Sequence, residues 1–259
     1  MHLIEKIKKI EKLNEDTFLI RIESEEISKS AVAGQFVNIK CCDGLDAYLR
    51  RPISICSIHR ENNTFDIVYQ IRGKGTRLLC GFECGDQVDV LGPLGRGFTL
   101  NPEHKHIVVV GGGIGTFPLL QLLKDHPAEK KTAILGFRSK DFVVLEENFR
   151  KQCHELLIAT DDGSYGKKGF VTSLLEEKLS EEPVDMVYFC GPSVMMKRGV
   201  DIVNKYAIPC EVSMEQRMGC GVGACLVCAC KTRKGEDWDY SHVCKDGPVF
   251  RGEEIVFEE

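Results

Sequence analysis

The sequence predicts a protein of mixed class, α/β plus all-β. An antiparallel β-barrel over residues 1–100 is followed by a parallel α/β sheet over 101–209 and a small cysteine-held segment over 210–259. Three observations carry this division. Short strand-like runs broken by charged or Gly-bearing turns fill the first hundred residues. Strand and helix patterns then alternate. Five of the 13 cysteines crowd into the stretch from Cys220 to Cys244.

The elements follow in chain order. Strands are expected at 17–22, 35–40, 53–58, 65–71 and 87–91, with no long helix between them, as in a barrel or sandwich. The glycine- and proline-rich run 92–97 and the pair Asn101-Pro102 then mark a boundary near residue 100. Beyond it, residues 106–110 form a continuous β-branched run suited to a strand buried on both faces. Helix patterns at 117–124, 144–152, 171–179 and 194–206 alternate with strands at 131–137, 155–160 and 186–190. Such a sheet places its ligand crevice at the carboxyl ends of its strands. Past Pro209 neither period persists, and residues 210–259 hold six Lys/Arg against ten Asp/Glu. So short a segment needs a staple, and a metal is the expected one.

With 259 residues, 43% hydrophobic and 28% charged, the chain can bury real cores and is neither disordered nor fibrous. A net charge of −5 excludes the basic footprint of a nucleic-acid binder. No apolar run reaches the roughly 18 residues that span a bilayer, and residues 1–12 alternate Ile with Lys and Glu, unlike a signal peptide. A cytoplasmic location with no membrane contact is therefore expected. There, disulfides are disfavoured, so thirteen cysteines point to metal or redox chemistry.

The spacing Cys220-x4-Cys225-x2-Cys228, with 15 residues before Cys244, is that of a plant-type [2Fe–2S] ferredoxin. Glycines at 219, 221 and 223 let the backbone close round such a cluster. A four-cysteine zinc site is the competing reading, although zinc ligands usually come in C-x2–4-C pairs. Cys230 and the eight scattered cysteines, apart from Cys190 discussed below, are assigned to packing.

Two segments of the barrel suit phosphate and flavin. Arg51-Pro52-Ile53-Ser54 offers a guanidinium and a hydroxyl on one strand, where the plain alternative is an edge strand with a solvated arginine. In the run 71–79, Gly73 and Gly75 precede a short apolar helical turn whose free amides suit a pyrophosphate; the alternative is a hairpin turn. In the second domain, Gly111-Gly112-Gly113-Ile114-Gly115-Thr116 follows a buried strand and opens a helix with Pro118 in its first turn. Thr116 stands where G-x-G-x-x-G has its third glycine, and no ribose-binding acid follows: the next strand ends at Gly136-Phe137-Arg138. Arg138 and Lys140 would admit a 2′-phosphate. Cys190-Gly191-Pro192 sets a polarizable thiol at a later strand end, where a buried structural cysteine is the alternative. Asp161-Asp162-Gly163-Ser164 reads as a turn.

Taken in this order, the segments resemble the ferredoxin–NADP reductase superfamily and, more closely, the electron-transfer subunits of class 1B dihydroorotate dehydrogenases. The resemblance covers nearly the whole chain; besides the motifs above it includes the runs 215–225 and 243–250. It implies that Arg51, Pro52, Ile53, Ser54, Val68, Tyr69, Gln70, Gly75 and Thr76 bind FAD. It implies that Gly112, Gly113, Ile114, Gly115, Thr116, Cys190, Gly191 and Pro192 bind NAD, and that Cys220, Cys225, Cys228 and Cys244 hold the [2Fe–2S] cluster. Members of this family pair with an FMN-containing catalytic subunit, two of each kind, which oxidises dihydroorotate in pyrimidine biosynthesis. The present chain would pass the electrons through cluster and FAD to NAD+. Hydride carries two electrons and the cluster one, so a flavin must stand between them. No residue then needs to act as acid or base, and Cys190 and Ser54 are positioning groups. The sequence leaves open two alternatives: a flavin/iron–sulfur subunit of an NAD(P)H-dependent ferredoxin or sulfide oxidoreductase, and a non-enzymatic iron–sulfur sensor.

Overall fold

A computed structural model describes residues 1–257. Strands β1 (His2–Lys12), β2 (Thr17–Glu23), β3 (Phe36–Ile39), β4 (Arg51–His59), β5 (Thr64–Gln70) and β6 (Gln87–Leu94) close an antiparallel barrel in the order β1-β2-β5-β4-β3-β6. Alternate residues point inward, so Ile20, Ile22, Ile53, Ile55, Phe65, Ile67, Val88 and Val90 fill its interior. Helix α1 (Glu25–Ser30) is capped by Ser24, whose hydroxyl accepts the Ile27 N–H, and α2 (Lys74–Leu78) follows β5. The run read as a break at 92–94 instead completes β6.

The second layer is a sheet of β7 (His106–Gly112), β8 (Lys130–Phe137), β9 (Glu155–Thr160), β10 (Lys167–Lys168), β11 (Met186–Cys190) and β12 (Cys210–Ser213). These six strands run parallel, in the order β10-β9-β8-β7-β11-β12. Helices α3 (Phe117–Asp125), α4 (Glu146–Arg150), α5 (Val171–Glu181) and α6 (Ser193–Lys205) connect its strands. The helix expected at 144–152 is shorter because Leu145 takes a left-handed φ of 59°, which cannot continue a helix.

The tail departs furthest from expectation. Strands β13 (Ala229–Lys234) and β14 (Asp237–His242) form a hairpin, and β15 (Val249–Arg251) adds antiparallel to β12 at the sheet edge. Residues 210–213 and 249–251 thus belong to the large sheet, and the cysteine-rich stretch is an excursion from it. No helix among the described residues is long and apolar enough to cross a membrane.

Barrel and sheet share one core. Leu19, Cys56, Val68 and Phe98 pack with Ile107, Phe117, Leu120 and Leu123 in a continuous cluster. Polar groups fix the joint. Glu211 in β12 accepts from the Thr99 amide at 2.9 Å and its hydroxyl at 2.6 Å. The buried Tyr188 hydroxyl donates to Thr99 O at 2.7 Å, so His126 Nε2–H donates to Tyr188 while its Nδ1 accepts the Ala128 N–H. Burial, helped by the neighbouring His104 and Lys131, lowers the His126 pKa to about 4.

This yields a pH prediction. The unfolded chain protonates His126 near its ordinary value of 6.5 while the native state does not, so stability falls as pH drops from about 6.5 to about 4. In His126→Gln that fall should shrink. Urea unfolding of both proteins at about pH 7 and about pH 5 checks it, and equal slopes would contradict the assignment.

Candidate functional site

Strand β4 brings Arg51, Pro52, Ile53 and Ser54 to one side of a cleft of about 240 Å³, and β5 supplies Val68, Tyr69 and Gln70 beside them. Thr76 also lines it. The two arginines at the start of β4 divide their work. Arg50 is locked bidentately to Asp89 of β6 at 2.8 and 2.9 Å, whereas the Arg51 guanidinium lies over the Gly75 backbone, where a Cβ would strike its Cζ at 2.5 Å. Gly75 itself is buried beneath that guanidinium, and its lack of a side chain is what lets Arg51 lie there. Tyr69 is stacked on Phe18, ring centroids 5.9 Å apart. The Thr76 hydroxyl accepts from the Arg72 and Gly73 amides at 2.9 and 3.2 Å and so shapes its own turn. These groups fit a flavin dinucleotide: apolar walls, the guanidiniums of Arg51 and Arg72, and a half-buried hydroxyl at Ser54.

A second cleft, about 770 Å³, opens at the carboxyl ends of β7, β8 and β9 and is lined by Gly112, Gly113, Ile114, Gly115, Gly191 and Pro192, with Arg138, Asp161 and Arg198 further out. Gly115 sits against the β11 end: a Cβ there would meet Cys190 O at 2.5 Å and Gly191 Cα at 2.6 Å. Thr116 is not brought to the cleft. It is fully buried, its hydroxyl donates to Gly113 O at 2.8 Å, and its methyl packs where a Gly111 Cβ would stand. The departure from the glycine pattern is therefore an internal tie of the turn. Cys190 faces the first cleft; burial pushes its thiol up to about 12, against a hydrogen bond from Ser213, so it stays neutral. Asp162 accepts from the Ser164 amide and hydroxyl at 2.9 and 2.7 Å, the turn expected there.

Amide-to-sulfur hydrogen bonds tie the four cysteines together. Cys220 N donates to Cys225 Sγ at 3.3 Å and Cys244 N to Cys228 Sγ at 3.4 Å, giving two pairs, and Gly223 N joins them by donating to Cys244 Sγ at 3.1 Å. Although burial raises the Cys220 thiol pKa, the Val222 and Ala224 amides outweigh it and draw it down to about 6, the thiolate form that iron requires. Among the described residues no three His, Cys, Asp or Glu side chains converge as for a single ion. A two-iron cluster instead takes its thiolates in pairs, and this donor set suits it. Cys230 lies outside the network, buried with its thiol raised to about 11.

Sequence reasoning missed the groups that join these places. Ser213, Met214, Glu215, Gln216 and Met218, just ahead of Cys220, line the first cleft together with Pro248, and Glu215 and Arg72 border both clefts. The motif runs 215–225 and 243–250 covered Glu215, Gln216, Met218 and Pro248, and nothing in the sequence signalled Ser213 and Met214. Cys228→Ser should cost the protein its iron and visible iron–sulfur absorbance, while Cys230→Ser keeps both; iron analysis and spectra of the two variants check this. Gly115→Ala must push the Cys190 backbone aside, and NAD+ binding measured by calorimetry should weaken by about tenfold or more with FAD retained.

Comparison with known proteins agrees with the geometry. The oxidoreductase FAD-binding domain model matches residues 5–98, and the iron–sulfur cluster binding domain of dihydroorotate dehydrogenase B matches residues 215–256. The chain is 43% identical over 224 residues to the dihydroorotate dehydrogenase B (NAD(+)) electron transfer subunit of Caldanaerobacter subterraneus subsp. tengcongensis, covering 86% of this chain and 87% of the relative. With the subunit of the same name from Fusobacterium nucleatum subsp. nucleatum it shares 41% over 249 residues, 94% of each. A chain of the NADH-dependent reduced ferredoxin-NADP oxidoreductase superposes with a TM-score of 0.86 at 32% identity, covering 98% of this chain and 90% of that one. The chain belongs to the family of dihydroorotate dehydrogenase B (NAD(+)) electron transfer subunits, flavoproteins with an FAD-binding barrel and an iron–sulfur segment.

Proposed function

We propose that this chain carries electrons from a separate dihydroorotate-oxidising, FMN-containing subunit to NAD+, using a [2Fe–2S] cluster on Cys220, Cys225, Cys228 and Cys244 and an FAD in the β4–β5 cleft. One observation carries the reading. The flavin-type cleft borders the nucleotide cleft through Ile114, Gly115 and Gly191, and it is also lined by Ser213, Met214, Glu215, Gln216 and Met218, in the stretch that leads directly into Cys220. A single pocket thus touches both neighbours.

FAD bound in the β4–β5 cleft would supply hydride exchange with nicotinamide and one-electron exchange with an iron–sulfur cluster. The protein's part is placement. Arg51 supplies a fixed cation for a phosphate, and Ser54 a hydroxyl for the ring edge. Val68 and Tyr69 exclude water from one wall. The Cys190 thiol, held neutral by burial, offers a soft contact without adding charge. Around the cysteines, the Val222, Gly223 and Ala224 amides stabilise negative charge on sulfur. No acid or base is required of the chain.

Cys225 is exposed, and beside it Val222, Leu226 and Val227 expose apolar side chains. We place the catalytic subunit on this rim, in a complex of two subunits of each kind working in the cytoplasm; native mass spectrometry of the purified complex tests that stoichiometry. NAD rather than NADP follows the relatives' names, although Arg138 lines the nucleotide cleft. The likeness to the ferredoxin-NADP oxidoreductase chain favours a second reading, a flavin/iron–sulfur subunit of an NAD(P)H-dependent ferredoxin oxidoreductase. Orotate-dependent NADH oxidation after mixing with an FMN subunit distinguishes the two.

For the main reading, Cys225→Ser should abolish dihydroorotate-dependent NAD+ reduction by the complex and spare NADH oxidation by an artificial acceptor. Retention of the first activity would defeat the proposed route.

A further inference from the structure

Strand β4 loses its neighbour on one side beyond Ser54. Phe36, the first residue of β3, pairs with Ser54, and after Gln35 O has accepted the Ile55 amide a β-bulge interrupts the β4 ladder between Ile55 and Ser57. Past the bulge the Ile58 amide has no strand to bond on that side. The side-chain carbonyl of Gln121, in helix α3, takes it at 2.7 Å. Gln121 is 1% exposed, and its helix is otherwise apolar along its buried face, from Phe117 to Leu123. A buried amide in such a helix is unfavourable unless bonded, and an apolar side chain would fill the space equally well. What the glutamine adds is direction.

Two further contacts extend the joint toward the surface. Lys124 donates to the Ser57 hydroxyl, and Arg60 pairs with Asp125 at 3.5 Å. Strand and helix are thus clasped at their C-terminal ends. Their N-terminal ends are the flavin-cleft segment 51–54 and the glycine turn 113–116, so they lie where the two clefts meet. Gln121 lies seven positions on from Ile114, along a 3-10 turn that runs into α3, a rise of about 10 Å. A pivot at the clasp would therefore shift Ile114 and Gly115 against Ser54.

We propose that Gln121 is a positioning residue for hydride transfer: its hydrogen bond to the Ile58 amide sets the separation between the strand that carries the flavin and the turn that carries the nicotinamide. The proposal rests on the cofactor placement given above. Hydride transfer is steeply sensitive to such a separation, whereas the cysteine stretch is anchored through β12, β15 and Asn38, none of which is part of the clasp.

The test uses the full chain with FAD and cluster in place, comparing wild type with Gln121→Leu and Gln121→Glu. In Gln121→Leu, flavin bleaching by NADH in stopped flow should slow by about 10- to 100-fold, with NAD+ affinity within about twofold and FAD and iron contents unchanged. Reduction of the cluster by a one-electron donor should keep its rate. Hydrogen–deuterium exchange, which needs no turnover, should quicken in 55–58 and 113–121 together. Gln121→Glu, whose side chain still accepts, should recover much of the bleaching rate. If Gln121→Leu does not fold, Lys124→Met loosens the same clasp from its outer side and should slow bleaching in the same direction with cofactors retained. An unchanged bleaching rate, or a fall that merely tracks loss of FAD or an equal fall in cluster reduction, overturns the proposal. Wild-type chain whose flavin NADH fails to bleach overturns the cofactor placement itself, and the clasp with it.

Discussion

The packing of helix α3 against strand β4 is the contact on which the rest of the molecule depends. Each element begins at a segment that lines a cleft, and each is buried in a core that neither barrel nor sheet completes alone: Cys56 and Val68 from one side, Phe117 and Leu120 from the other. Because the core is continuous, the two clefts have a fixed relation and not a hinge between them. The linker is held as firmly, with Glu211 and Tyr188 both bonded to Thr99. A reaction that needs two ring systems in contact calls for such a joint.

The cysteine excursion is held from both flanks by the same logic. It leaves the sheet at β12 and returns at β15, and Met214 N donates to Pro248 O across its base. On the barrel side, the Asn38 amide donates to Cys220 O at 3.4 Å, and Gly221, with φ of +76°, leaves the room that Asn38 occupies. A side chain at 221 would be both strained and obstructed. The cysteine stretch is therefore fixed relative to the first cleft by backbone pairing at the sheet and by the Asn38 side chain of the barrel.

Much of this was legible in the sequence, for identifiable reasons. Strands buried on both faces, such as β7, announce themselves as unbroken β-branched runs, and the cysteine spacing names its cluster directly. The hairpin of β13 and β14 was missed because its alternation is short and mostly exposed: Trp238 and Tyr240 alternate with Asp237 and Asp239 on a strand with no buried face, and three of the six residues of β13 are Lys or Arg. Strands β12 and β15 are three or four residues long, too short for a period, and their place in the sheet is a long-range pairing. Thr116, a departure from the glycine pattern that only the family resemblance made a nucleotide contact, is a tie inside the turn. Gln121, one polar residue in an apolar helix, carried no motif; only the gap beside β4 explains it.

The central claim is that one chain couples a hydride acceptor to a one-electron centre. Anaerobic titration of the purified chain with NADH, followed by visible absorbance and EPR in the same samples, tests it most directly. The account predicts that flavin absorbance bleaches and a reduced [2Fe–2S] signal grows in the same titration, without the catalytic subunit. Bleaching of flavin with no iron signal at any stage, or an iron signal in a chain that holds no flavin, would contradict it.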